Sequence, residues 1–160
     1  MLERNPDLDF DLVLIGPLGW RSEAVLRAAH QAGRRGRVLL TGPISDLHLA
    51  AFIRQASLCV IPSLYEGFCL PLLECMACGS PTIASRTSCL PEVSGGVLQY
   101  FDPYSIEEIA ETMTAALRDS QMRKMVAKAG LQRASEFTWE RSARETLGVL
   151  MQTCKQMSAN

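Results

Sequence analysis

No apolar run in this chain of 160 residues approaches the roughly 20 residues that a membrane-spanning helix needs. The opening Met1-Leu2-Glu3-Arg4-Asn5-Pro6 lacks the basic-then-apolar order of a secretory signal, so the expected compartment is the cytoplasm. Charge of one sign is lacking too. Sixteen Lys and Arg against 17 Asp and Glu leave a net charge of −1, which gives no electrostatic footprint for a nucleic-acid partner. Histidine is scarce: His30 and His48 stand alone, each in a helix-like stretch. No G-x-G-x-x-G follows a strand-like run, which excludes the usual dinucleotide fingerprint of a nicotinamide-dependent oxidoreductase. Asp-x-Asp spacing occurs at Asp7-Leu8-Asp9, ahead of the first strand, where it reads as a solvated linker rather than a cation site.

Six cysteines are present, at 59, 69, 75, 78, 89 and 154. Several fall inside apolar patterns, where a reduced thiol packs as a small hydrophobe, so free thiols are expected rather than a disulfide framework. Cys75-Met76-Ala77-Cys78 has C-x-x-C spacing, but a structural zinc site takes four ligands and no second pair accompanies it; helix packing is the expected role. No metal ligands and no cofactor are assigned.

With 48% hydrophobic and 21% charged residues the chain has ordinary globular composition and enough length for one domain with a core. Short apolar runs ending in Gly or Pro alternate with helical patterns. Strands are expected at Asp11 to Ile15, Arg37 to Thr41, Leu58 to Ile61, Pro81 to Ser85 and Val97 to Phe101. Helices are expected at Ser22 to Ala32 with Gly33 as C-cap, at Asp46 to Ala56, from Leu70 to Gly79, and then at Ser105 to Arg118, Gln121 to Glu136 and Thr138 to about Gln156. This order predicts an α/β domain of Rossmann type, a doubly wound parallel sheet with a helical last third. The basic run Arg34-Arg35-Gly36-Arg37 reads as a solvated helix end.

The most informative segment is Glu66-Gly67-Phe68-Cys69-Leu70-Pro71-Leu72-Leu73-Glu74. Pro71 suits the first turn of a helix, where its missing N–H costs nothing and its fixed φ is already helical. Amides around Phe68 to Leu73 are then expected to point forward without intrahelical acceptors, together with the positive end of the helix dipole. That arrangement is an anion site, with one carboxylate before it and one about a turn inside.

The run Pro62-Ser63-Leu64-Tyr65-Glu66 through Glu74-Cys75-Met76-Ala77-Cys78-Gly79-Ser80-Pro81 resembles the signature of family 4 retaining glycosyltransferases of the GT-B fold. The likeness extends to Asp11-Leu12-Val13-Leu14-Ile15-Gly16, Leu90-Pro91-Glu92-Val93 and Phe137-Thr138-Trp139-Glu140, and so covers nearly the whole chain. It implies the C-terminal, donor-binding half of such an enzyme, with the N-terminal acceptor domain absent. Carried over residue by residue, Glu66 is the catalytic candidate. Ser63, Gly67, Phe68, Cys69 and Leu70 would hold the donor sugar and its diphosphate, Glu74 the ribose, and Gly16 with Gly42-Pro43-Ile44 would border the base.

The resemblance also implies metal-independent transfer, since backbone donors and a helix dipole supply the charge stabilisation. Gly16-Pro17-Leu18-Gly19-Trp20 with Ser63-Leu64-Tyr65-Glu66-Gly67 is similar to bacterial transferases that use GDP-mannose for surface polysaccharide, so the expected partners are that donor and a saccharide or lipid-linked acceptor; peripheral contact at the inner membrane face is the alternative to the solvated helix end for the 34–37 run.

Two departures shape the expectations. Cys69 stands where the family mostly has glycine, so a side chain there is expected to crowd a phosphate approaching the backbone. Relatives also carry a further central strand and an Arg and Lys clamp before the equivalent of Leu12. Without them the chain reads as a fragment or a degenerate product, with Arg21 and Arg86 the cations left to replace the clamp. The alternative is a catalytically silent module that binds a nucleotide or acts as a scaffold.

Overall fold

The computed structural model describes residues 5, 7–20, 22–32 and 38–158. Gly33, the basic run at 34–37 and Arg21 lie outside the described residues. Five strands and seven helices follow in the order β1 Leu12–Ile15, α1 Glu23–Ala32, β2 Val38–Gly42, α2 Asp46–Gln55, β3 Cys59–Ile61, α3 Leu70–Ala77, β4 Thr82–Ser85, α4 Leu90–Ser94, β5 Gln99–Phe101, α5 Ile106–Arg118, α6 Ser120–Ala134 and α7 Trp139–Ser158 among the described residues. Every strand pairing is parallel, as alternating strands and helices require. The α/β, Rossmann-like class expected from the sequence is the one observed.

The strands form two sheets rather than one continuous sheet: β1 pairs with β2, and β3-β4-β5 form a second sheet, among the described residues. This departs from the single sheet expected. The physical reason is that no hydrogen-bonded strand links the free edge of β1 to the free edge of β3.

The core gathers around the second sheet. All four residues of β4 are buried, and Phe101, Ile83 and Ala116 pack together on one side while Leu72, Met76, Ala84, Leu90 and Val93 pack on the other. Helices α5 and α6 supply the covering layers, their apolar positions recurring at helical spacing. Gly130 lets α6 approach α3 closely: a Cβ built on it would lie 3.2 Å from Met76 Cγ. Strands β1 and β2 contain no buried residue, and Leu12, Ile15, Leu39 and Leu40 remain exposed.

Caps set the helix boundaries. Ser45 accepts from the His48 amide at the start of α2, Ser105 from Glu108 at α5 and Asp119 from Met122 at α6. The five-residue α4 was not expected; its Pro91 lies in the first turn and Gly95 closes it with a left-handed backbone. Asp7, expected in a solvated linker, instead accepts two hydrogen bonds from the Arg118 guanidinium at 2.9 and 2.8 Å. No helix among the described residues is long and apolar enough to cross a membrane.

Candidate functional site

The carboxyl end of β3 feeds a loop that runs from Pro62 to Cys69 and enters α3. Helix α3 starts at Leu70 because Pro71 fixes φ in the first turn. Its N-cap is Cys69, whose backbone lies in the left-handed region at φ 67 and ψ 72. A non-glycine residue there is strained. The Cys69 carbonyl accepts from Leu72 at 3.1 Å and Leu73 at 3.4 Å. Those two amides, expected to face a ligand, are therefore used inside the helix, and Pro71 has none. Among the described residues, the amides of Phe68, Cys69 and Leu70 keep no acceptor, and they form the donor set at the head of α3.

The Cys69 side chain lies close to the Leu72 amide and the Glu66 carboxylate. It is only 5% exposed and packs into the core with Leu72 and Met76. The backbone that carries it lies in the left-handed region, which a non-glycine residue rarely adopts. Burial raises the Cys69 thiol pKa, and the nearby Glu66 adds to this. The thiol therefore stays neutral beside the anion site.

Glu66 is tied at three points. Ser63 Oγ donates to Glu66 Oε1 at 2.8 Å, the Glu66 N–H donates to Ser88 Oγ at 3.0 Å, and Cys89 Sγ donates to the Glu66 carbonyl at 3.3 Å. One carboxylate oxygen thus has a fixed partner in Ser63, and the Cys69 thiol lies beside the same carboxylate. Glu74 lies in the second turn of α3 with an exposed side chain. Phe68 stacks edge-on against Phe137, with ring centroids 5.7 Å apart, and the Arg133 guanidinium lies 4.8 Å from the Phe137 centroid. The Phe137-Thr138-Trp139-Glu140 turn, distant in sequence, thereby holds the loop. Gly67 is exposed within it.

A second group forms at the carboxyl ends of β1 and β2. The Gly16 amide donates to the Gly42 carbonyl at 3.1 Å, and both glycines have positive φ, 128 and 65. A Cβ on either would meet nothing within 4 Å, so the backbone conformation, not packing, calls for glycine. Pro43 and Ile44 continue this turn into the Ser45 cap of α2. Among the described residues, the hydrogen bonds keep this group separate from the Ser63–Leu70 group. Arg86 donates to Glu108 at 2.9 Å and to the Tyr100 carbonyl at 3.3 Å, with its side chain largely exposed.

Beneath α3, Cys59 on β3 meets Cys75 and Ser80. Hydrogen bonds from Cys75 first, and from Ser80 Oγ at 3.2 Å, lower the Cys59 thiol to about 7 against the opposing effect of burial, while the Cys75 thiol is raised because it supplies the proton. Among the described residues, no three His, Cys, Asp or Glu side chains gather in a way that could hold a metal ion. Thr87, Ser88 and Cys89 were not picked out from the sequence. The signal that could have found them is their position at the carboxyl end of β4, where ligands of parallel sheets are met.

Comparison with known proteins identifies the family of the chain. The model for the family described as "Glycosyl transferases group 1" matches residues 1–154. The O-antigen chain mannosyltransferase B of Escherichia coli is 31% identical over 147 residues, covering 92% of this chain and 39% of that protein. A D-inositol 3-phosphate glycosyltransferase of Xylanimonas cellulosilytica is 34% identical over 166 residues, covering 99% and 39%. The solved C-terminal domain of a glycosyl transferase group 1 family protein from Francisella tularensis superposes with a TM-score of 0.69 at 26% identity, covering 84% of this chain and 72% of that one. The chain spans about two fifths of the length of these curated relatives. It belongs to the group 1 glycosyltransferases.

Proposed function

We propose that this chain is the donor-binding part of a retaining glycosyltransferase that uses a nucleotide-diphosphate sugar, GDP-mannose in the first instance. The observation that carries this reading is the set of free amides at Phe68, Cys69 and Leu70 on the head of α3, beside a carboxylate held by Ser63. A diphosphate placed there meets oriented N–H groups and the helix dipole, and these stabilise the charge that builds on the leaving group. Glu66 Oε2 then accepts from a sugar hydroxyl, and Glu74 from the ribose. The Gly16 and Gly42 turns present bare backbone for the flat face of a base.

The mannose assignment rests on the O-antigen mannosyltransferase relative. The acceptor is a saccharide or lipid-linked saccharide met through an N-terminal domain. The same proposal accounts for the split sheet. A further parallel strand seated between the free edges of β1 and β3 would give the order β2-β1-x-β3-β4-β5, which reverses at x. Ligands of doubly wound sheets bind at that reversal, outside the carboxyl ends of the strands. The Gly16 turn and the Ser63–Leu70 loop would then flank it. Isothermal titration of the chain with GDP and with UDP, in buffer containing EDTA, tests the reading. Binding of GDP in preference to UDP is expected, and no heat with either nucleotide would reject it.

A further inference from the structure

We infer that Ser88 is a positioning residue for Glu66, holding the peptide of that residue rather than touching the donor. This rests on the proposed role of Glu66, but its physical basis is independent of it. The turn between β4 and α4 reaches across to the β3–α3 loop with three consecutive side chains. Thr87 Oγ1 donates to the Ser63 carbonyl at 3.2 Å, Ser88 Oγ accepts from the Glu66 N–H at 3.0 Å, and Cys89 Sγ donates to the Glu66 carbonyl at 3.3 Å. Both peptide groups of Glu66 are therefore held from the neighbouring turn, while its carboxylate is held by Ser63.

The backbone of Ser88 shows what this arrangement costs. Its φ of 46 places a non-glycine residue in the left-handed region, shared only with Cys69 among the described non-glycine residues. Strain of that kind persists where surroundings over-determine it, and it concentrates at sites of function. Glycine would adopt the conformation freely but has no hydroxyl to accept the Glu66 amide.

The turn itself has a rigid base. The Leu90 amide donates to the Thr87 carbonyl at 3.3 Å, Ser94 Oγ donates to the Leu90 carbonyl at 2.6 Å, and Arg133 donates to the Glu92 and Val93 carbonyls at 3.0 Å each. A fixed turn can transmit a fixed position. The Glu66 carboxylate is then delivered to one place relative to the Phe68–Leu70 amides without the cost of ordering the loop on binding.

The test separates positioning from simple turn stability. The full chain, labelled with 15N, is compared with Ser88→Gly, Ser88→Ala and Ser88→Asn by amide exchange, thermal melting and GDP titration. Ser88→Gly relieves the strain and removes the acceptor, so its melting temperature should not fall. The Glu66 amide should nevertheless exchange about fivefold faster, the loss expected for one hydrogen bond, while the Ile83 amide in β4 is unchanged. GDP affinity should drop about three- to tenfold in Ser88→Gly and Ser88→Ala. Ser88→Asn, which tolerates the left-handed region and keeps an acceptor oxygen, should recover part of both losses.

Unchanged Glu66 exchange in the Gly and Ala variants would overturn the inference. So would faster exchange with undiminished GDP affinity. If the parent chain binds no GDP, the donor-site reading fails by itself, and the exchange rates still decide whether Ser88 holds Glu66.

Discussion

Glu66 and Glu74 differ in how the fold treats them, and so do the expected effects of replacing them. Glu66 has a hydrogen-bonded carboxylate oxygen and an anchored peptide, whereas Glu74 is exposed on the second turn of α3. On the proposed reading Glu74 accepts from ribose hydroxyls, an interaction of about 1.5–3 kcal/mol, so Glu74→Gln should weaken GDP binding about tenfold or more with no change in melting temperature. Calorimetry and a melting curve on the same sample check both parts. Cys69→Gly sets two effects against each other. Glycine relieves a left-handed backbone worth about 1–2 kcal/mol, and it loses the burial of a small thiol side chain worth about 1 kcal/mol. The expected result is a melting temperature within a few degrees of the parent. A drop of ten degrees or more would show that the thiol contributes more to packing than its size implies.

Residues of these two kinds were not equally legible in the sequence. The Glu66 and Glu74 pair could be read because the chemistry is local: Pro71 announces the helix, and the carboxylates bracket its head. Ser88 could not be read. Its importance comes from a partner 22 residues away and from a φ that a serine letter does not announce.

At the scale of elements, most strands and helices were visible in the alternation of apolar runs with Gly and Pro turns, and their bounds moved by only a residue or two. Helix α4 was hidden because five residues are too few to show a period. The close approach of α3 and α6 was hidden as well, since Gly130 reads as a blemish in a helix until Met76 is seen against it. Gly130→Ala should be nearly neutral: better helix propensity, about 1 kcal/mol, offsets a contact that needs a few tenths of an ångström of give. Gly130→Leu has no such relief. It should push α6 from α3 and destabilise by about 2 kcal/mol or more, measured by urea denaturation.

The thiol pair joining β3 to α3 gives a pH signature. The Cys59 thiol is lowered to about 7 when folded, mainly by the Cys75 hydrogen bond, against roughly 8.5 in an unfolded chain. The unfolded state therefore binds more protons between these values, so this group makes stability rise as pH increases from about 7 to 8.5. The contribution is lost as pH falls through 7. Melting temperatures across this range should rise more steeply for the parent than for Cys59→Ala. Parallel curves would show that Cys59 is not the titrating group.

For the whole molecule, burial is uneven, and that asymmetry bears on activity. Strand β4 is fully buried between two apolar clusters, while β1 and β2 contain no buried residue and leave Leu39 and Leu40 exposed. Apolar strand faces of this kind need a covering partner to gain the stability that burial provides. The chain also spans only about 39% of the mannosyltransferase it matches. Donor binding and transfer should therefore separate in this chain. The amides at the head of α3 and the Glu66 carboxylate lie in the well-packed half, so the proposed donor site should hold a nucleotide diphosphate in this chain.

Transfer asks for more. The acceptor must be positioned so that reaction becomes effectively unimolecular, worth up to about 7–11 kcal/mol of the barrier, and nothing in the Ser63–Leu70 group does that. In the proposed site, charge on the leaving diphosphate would be met by three amides and a helix end. Loss of even one such donor costs about 10²–10³ in rate. The purified chain, incubated with radiolabelled GDP-mannose and a panel of free and lipid-linked saccharides, should bind donor and give no measurable transfer. Robust transfer with retention would show that the acceptor is positioned by this chain alone, and it would move the search for that site to the exposed apolar strands β1 and β2.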